Sequence, residues 1–258
     1  RLIALAILVV YVVLSEMYVE AALVFAIAFI PIIPWIMVRS LRFKAVNSAY
    51  RNIRFDFQGR YGQAFMVAFV WPLLNVLTLL LLTPLVMKKT HEFIANGSRY
   101  GTTEFALKAD TGSYYRFFGK GLLIAIAFGV AAFLAMRYVG FTVGSIIAGA
   151  GYLTLFGYFM AGISNLFLNA VHLDHHGFES RLQPLQMVWI YLSNSFLVVL
   201  TLGLFTPWAK VRMARYRASC TAMRVSGDLN HFVAAEQNRT SALGQELGDA
   251  FDVDFAAI

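Results

Sequence analysis

The sequence predicts an all-α polytopic membrane protein made of two sequence-related repeats of three apolar helices each, with short interfacial strand-like segments and a small soluble C-terminal tail. Three observations carry that prediction. Across 258 residues the chain is 59% hydrophobic and 14% charged, whereas an average soluble domain is about 25% charged. Apolar runs recur along the whole length, so a single secretory signal peptide does not account for them. A motif also returns: LTLLLLTPLVMKK (77–89) is echoed by LTLGLFTPWAKVRMARYR (200–217). Thr78 and Thr201 stand 123 residues apart, as do Pro84 and Pro207. At the same offset Leu77, Leu79, Leu81 and Thr83 meet Leu200, Leu202, Leu204 and Thr206, and Phe55 meets Phe178. A fixed offset of this kind marks an internal duplication.

The first repeat is read as residues 1–117. About 20 apolar residues of helix cross the hydrocarbon core, so 2–19 and 21–38 are expected to be a pair of spans. The chain opens at Arg1 without a methionine and is apolar from Leu2, which reads as a fragment or trimmed product. Glu16 and Glu20 lie at the turn, and Arg39, Arg42, Lys44, Arg51, Arg54 and Arg60 follow the second span, so its far end is placed in the cytoplasm. From Asn52 to Arg60 apolar Ile53, Phe55 and Phe57 alternate with Arg54, Asp56 and Gln58, the two-residue period of a strand. TEFALK (103–108) and HGFESR (176–181) look similar. All three are expected to be short interfacial segments, because an open sheet edge does not sit in hydrocarbon. The run 63–87 is expected to be a broken helix, interrupted by Trp71, Pro72 and Asn75.

The second repeat, 118–226, has spans at 119–138 and 141–168 and a broken helix at 183–208, interrupted by Ser193, Asn194 and Ser195 at the register of Trp71. Gly144 with Ala148 and Gly157 with Ala161 have the four-residue spacing that lets helices approach closely. Asn165, Asn169 and His172 share a face and are read as meeting the cytoplasmic interface. Residues 227–258 form an acidic tail, in which Asp228, Glu236, Glu246, Asp249, Asp252 and Asp254 face the single base Arg239. The tail suits docking onto the basic rim of the membrane part.

Interruptions at matching positions of two halves point to a ligand path, because unwound backbone near hydrocarbon is tolerated only beside a cavity or inside protein. The path residues would be Asn75, Thr78, Thr83, Asn194, Thr201 and Thr206, with helix breaks at Pro72, Pro84 and Pro207. Lys88, Lys89, Lys210, Arg212, Arg215 and Arg217 form a basic rim for anionic lipid headgroups. Bases at the ends of apolar runs argue against nucleic acid as the partner. Because bases flank the run 63–87 on both sides, it is expected to enter and return from the cytoplasm, bending near Trp71 to Asn75, and its counterpart 183–208 likewise.

His172, Asp174, His175 and His176 have residue types that could hold a divalent ion. The equivalent AYRNI (49–53) has neither His nor acid, so no metal is assigned to them. Asp249, Asp252 and Asp254 lack a calcium-loop signature. Cys220 is the single cysteine, which excludes an intramolecular disulfide. There is no HExxH, GxSxG or Walker A pattern, so no residue is nominated as catalytic and no cofactor is implied.

The repeated LTLGLFTPWAKVRMARYR, together with RNIRFDFQGRYG, RYGTTEF and the ending SALGQELGDAFDVDF, resembles the YjgN family of bacterial inner-membrane proteins, a domain of unknown function. The resemblance covers essentially the whole chain and implies a bacterial inner-membrane location with the tail in the cytoplasm. It also implies a further upstream copy of the strand, span and PWAKVR-like module. A membrane metallopeptidase is a partner the family suggests. Where the second repeat has Trp208-Ala209-Lys210-Val211-Arg212, the first has Leu85-Val86-Met87-Lys88-Lys89. Two functions follow as expectations: a transport or channel-like role for a small or lipidic solute, or a membrane scaffold that assembles with itself or with the peptidase.

Overall fold

A computed structural model describes residues 19–227 and 232–239. The expected span 2–19, apart from its last residue, and the tail beyond residue 239 lie outside the described residues. In chain order the elements are α1 (Val19–Val46), β1 (Ala49–Tyr50), β2 (Ile53–Phe57), α2 (Tyr61–Leu77), α3 (Thr83–Gly97), β3 (Ser98–Tyr100), β4 (Thr103–Leu107), α4 (Thr111–Tyr138), α5 (Phe141–Leu168), β5 (Val171–Leu173), β6 (His176–Ser180), α6 (Pro184–Leu200), α7 (Thr206–Ser219), β7 (Thr221–Arg224) and a short α8 over 232–239.

The all-α expectation is overturned. The strand-like segments are members of one curled antiparallel sheet of seven strands, in the order β1-β2-β3-β4-β5-β6-β7. Nor are there six spanning helices: among the described residues two, α4 and α5, are long and apolar enough to cross a membrane. The physical reason is that a lone strand cannot satisfy its backbone, so alternating segments find one another wherever the intervening chain brings them together. Here helical hairpins do that. Phe57 pairs with Ser98 across α2 and α3, Leu107 pairs with Val171 across α4 and α5, and Ser180 pairs with Thr221 across α6 and α7.

Every neighbouring pair in this meander is antiparallel, and that fixes where the helices go. The three tight loops, Arg51-Asn52, Gly101-Thr102 and Asp174-His175, all fall at one end of the sheet. Arg51 and Asn52 take positive φ values of 47° and 66°, as a two-residue hairpin loop with the right twist demands. The three helical hairpins, and the C-terminal end of α1, therefore share the opposite end. Helix α8 docks at the tight-loop end. Its buried Glu236 accepts from the Thr102 N–H and, at 2.9 Å, from the Thr103 hydroxyl, while Gln237 Nε2 donates to Arg51 O at 2.9 Å.

The element bounds carry the 123-residue displacement seen in the sequence: β2 starts at Ile53 and β6 at His176, α2 at Tyr61 and α6 at Pro184, α3 at Thr83 and α7 at Thr206. The expected breaks move. In α2 the Trp71 N–H reaches back five residues to Met66 O in a widened turn beside Pro72, yet the helix runs on to Leu77. Residues 193–195 do not interrupt α6 at all. The chain reverses later, at 78–82 and 201–205. There Leu79 (φ 50°) and Leu80 (φ 67°) match Leu202 (φ 49°) and Gly203 (φ 92°) in the left-handed region.

Candidate functional site

The concave side of the curled sheet lines an apolar cleft. In a strand alternate side chains share one face, so Phe55, Tyr100, Phe105 and Phe178 all point into the concave side. Phe55 and Phe105 lie on strands separated by β3, and Phe105 and Phe178 on strands separated by β5. Two strand spacings in a flat sheet amount to about 9.5 Å, yet the ring centroids approach to 6.3 and 6.1 Å. Curvature brings the rings together. They form a ladder that Tyr100 joins at 5.1 Å from Phe55.

A cavity of about 660 Å³ lies over this ladder, well inside the roughly 300–1,000 Å³ range of small-molecule sites. Its sheet wall is completed by Val171, Leu173 and Met223. Leu41 and Ala45 of α1, Ile94 and Ala95 of α3, and Phe167 and Leu168 of α5 wall it on the helical side, and Phe232 and Val233 of α8 close the other end. Several polar groups on its margin already have hydrogen-bond partners. Ser48 Oγ donates to Lys44 O at 2.9 Å, Ser98 Oγ to Ile94 O at 2.7 Å, and Tyr100 Oη to Tyr50 O at 3.1 Å. The Asp56 carboxylate accepts from the Phe57 N–H at 2.7 Å and from Gln58 Nε2 at 3.2 Å. Burial pushes the Tyr100 phenol above its ordinary pKa, so it stays neutral. What remains for an occupant is mostly apolar surface, with the Lys44 and Tyr50 side chains at its margin.

A second cavity of about 690 Å³ sits at the base of the α2–α3 hairpin and has a mixed lining that includes Gln58, Arg60, Gln63, Trp71, Lys89, Glu92, Asn96 and Arg99. Burial raises the Glu92 carboxyl, but hydrogen bonds and charge from Lys89 and Lys88 outweigh it, and the group ionises below its usual range. Next to it, His91 is buried against Phe167 with Nδ1 2.7 Å from Tyr114 Oη. Burial lowers its pKa to about 4.

A family model described as a bacterial protein of unknown function (DUF898) matches residues 1–250. The chain belongs to that family, also known as YjgN. Neither a curated protein nor a solved structure matches it.

In this family member none of the six residues expected on a ligand path lines either cavity. Five of them close turns instead. Asn75 and Thr83 bond each other across the first reversal, Thr78 Oγ1 donates to Leu74 O at 2.9 Å, and Thr206 Oγ1 donates to Gly203 O at 2.6 Å. Thr201 Oγ1 donates to Leu197 O at 2.7 Å and accepts from the Phe205 N–H at 3.0 Å. Asn194 is buried and ties α6 to α7, donating to Ala209 O at 3.2 Å and accepting from Arg212 at 3.1 Å. Pro84 and Pro207 occupy the first turns of α3 and α7, where the missing N–H costs no helical bond.

The basic residues divide. Lys88 and Lys89 share Glu92, and Lys88 also donates to Thr111 Oγ1 at 2.8 Å, whereas Lys210, Arg215 and Arg217 are exposed along α7. The three imidazoles are held apart in role. His172 Nδ1 lies 3.1 Å from Ala170 O, His175 pairs with Asp174 at 3.5 Å, and buried His176 accepts from the Ser226 N–H at 3.1 Å. Among the described residues no three His, Cys, Asp or Glu side chains group as a metal would require. The glycine faces of α5 are spent within the chain: Gly144 lies against Ala132 and Met136 of α4, and Gly157 against Pro184 and Val188 of α6. The chamber aromatics went unassigned in the sequence, although the match of Phe55 to Phe178 at the repeat offset was their signal.

Proposed function

We propose that the protein is a lipid-binding protein of the bacterial inner membrane, held there by α4 and α5, and that its sheet chamber receives an apolar lipid chain. The observation that carries this reading is the 660 Å³ apolar cavity whose wall includes the sheet-proximal ends of α1, α3 and α5. Such a chamber lies next to the membrane that α4 and α5 would cross, so a chain can move from one apolar medium to another. The hydrophobic term then supplies the affinity, at about 0.8 kcal/mol per methylene taken out of water. Handling of a lipidic solute is the form of the transport reading that this geometry favours, with the solute in the sheet and not at the helix interruptions.

The test is to purify the full chain in mild detergent, identify co-purifying lipids by mass spectrometry, and titrate it with a fluorescent fatty-acyl probe. Ala45→Phe and Ser98→Phe fill the chamber from two different elements. Each is expected to weaken probe binding at least tenfold and to lower lipid occupancy. A wild-type protein that carries no lipid and binds no probe, or two variants that bind as well as wild type, would overturn the reading.

A further inference from the structure

We propose that the two leucine-rich reversals, residues 77–82 and 200–205, are immersed in the near leaflet of a phospholipid bilayer without crossing it. The proposal shares with the function above only the membrane attachment of α4 and α5.

Exposure and backbone conformation together point to lipid. Leu79 is 86% exposed and Leu81 73%, and in the second copy Leu202 is 95% and Leu204 86%. Leu79, Leu80 and Leu202 also hold left-handed backbone, a conformation that costs a leucine energy and that Gly or Asn takes with ease. A turn in water gains from Gly, Asn or Asp at such positions. Keeping leucine there makes sense where the side chain has an apolar medium to enter. Both copies keep leucine at the first left-handed position, Leu79 and Leu202, although Gly203 stands where Leu80 does, and Leu77 and Leu81 are matched by Leu200 and Leu204.

Topology and charge set the depth. Both hairpins leave the sheet at the same end as α4 and α5, so a membrane crossed by that pair lies in their path. Five residues separate Thr83 from Lys88, and four separate Thr206 from Lys210, which is about 6–8 Å at the helical rise. The hydrocarbon core is about 30 Å thick, so one leaflet is roughly 15 Å. Leucines dipping some 10 Å below these lysines leave the charges at phosphate level, where long basic side chains snorkel readily. A full crossing would carry Lys88, Lys89, Lys210 and Arg212 into the core. The strands on either side of each hairpin are direct neighbours, which brings its two ends back to one side.

The experiment uses the full chain with Cys220→Ser and one new cysteine at Leu79, Leu202 or, as a control at the α4–α5 turn, Val139. Membrane vesicles of both orientations are treated with a membrane-impermeant maleimide, and bimane-labelled protein is reconstituted with phospholipids carrying nitroxides at defined acyl depths. The tip cysteines are expected to resist the maleimide from both sides, and their bimanes to be quenched most strongly by nitroxides in the near leaflet. Val139→Cys is expected to react from the side opposite the sheet. Reaction of Leu79→Cys or Leu202→Cys from either side overturns the proposal, and so does protection without lipid quenching. If Val139→Cys fails to react from the far side, membrane crossing by α4 and α5 falls, and the depth argument falls with it. If it reacts while the tips also react, only the present inference is lost.

Discussion

Asn75 and Thr83 hold each other across a chain reversal: Asn75 Nδ2 lies 3.1 Å from Thr83 Oγ1, and the hydroxyl lies 3.2 Å from Asn75 Oδ1 while also reaching Leu80 O at 2.7 Å. The second repeat has no such pair, because Val198 stands at the position of Asn75. It uses Thr201 Oγ1 to accept from the Phe205 N–H instead. Equivalent turns are thus closed by different groups. Asn75→Ala is expected to destabilise the first hairpin by about 1 kcal/mol, the usual net contribution of one such bond. In a double-mutant cycle it should couple to Thr83→Val, whereas Val198→Ala should show no coupling to Thr206→Val. Thermal unfolding in detergent reads all six variants.

Glu236 is 1% exposed and lies against the loop between β3 and β4. A Cβ on Gly101, whose φ is +60°, would come within 2.4 Å of its carboxylate. Glu236→Ala leaves the Thr102 N–H without that acceptor and is expected to cost about 1.5–3 kcal/mol, the range for hydrogen bonds to charged groups. Gly101→Ala should undock α8 by a different route. In both variants the chain beyond residue 227 should become more sensitive to limited proteolysis, while α4 and α5 stay protected.

Burial lowers the pKa of His91 to about 4, and the sign of its effect on stability follows. In the unfolded chain the imidazole titrates near 6.5, so between pH 6.5 and 4 the unfolded state binds more protons than the folded one. Stability from this group is complete above pH 6.5, declines as pH falls through that window and levels off below it. His91→Gln removes the titration. The difference in melting temperature between wild type and variant should therefore shift against the wild type on moving from pH 7 to pH 5. An unchanged difference would mean that the imidazole titrates alike in the folded and unfolded chain.

How much of this was legible in the sequence depends on which interactions were local. The 123-residue repeat, the far end of α4 and both ends of α5 were, because identity and hydropathy are properties of short stretches, whereas α4 begins at Thr111 behind the Asp110 cap, eight residues before the expected 119. The sheet was not. β3 and β7 are three and four residues long, and their partners are found only after a helical hairpin has turned back. The first reversal was hidden by its own composition, since turn chemistry is recognised by Gly, Asn and Pro and Leu79 and Leu80 prolong an apolar run, whereas in the second only Gly203 marks the turn. The chamber follows from the sheet. With β2, β4 and β6 read as isolated segments, Phe55, Phe105 and Phe178 had no common face to share.

Packing of α4 on α5 separates two glycines that look alike in the sequence. A Cβ at Gly144 would fall 2.1 Å from Met136 Cγ and 2.8 Å from the Ala132 carbonyl oxygen, and that backbone oxygen cannot rotate away. Five residues on, and on another face of the helix, a Cβ at Gly149 would meet nothing within 4 Å. Gly144→Val must therefore push the helices apart, at an expected cost of about 1–3 kcal/mol, as overpacking of a close contact does. Gly149→Val should be close to neutral, since the added side chain faces outward. If the α4–α5 pair is the membrane anchor, Gly144→Val should lower the yield of folded protein in membranes, and Gly149→Val should leave it unchanged. Quantifying the two variants in membrane and detergent-soluble fractions, with unfolding temperature as the second readout, tests the assignment. Equal behaviour of the two would mean that α4 and α5 do not pack through the Gly144 face.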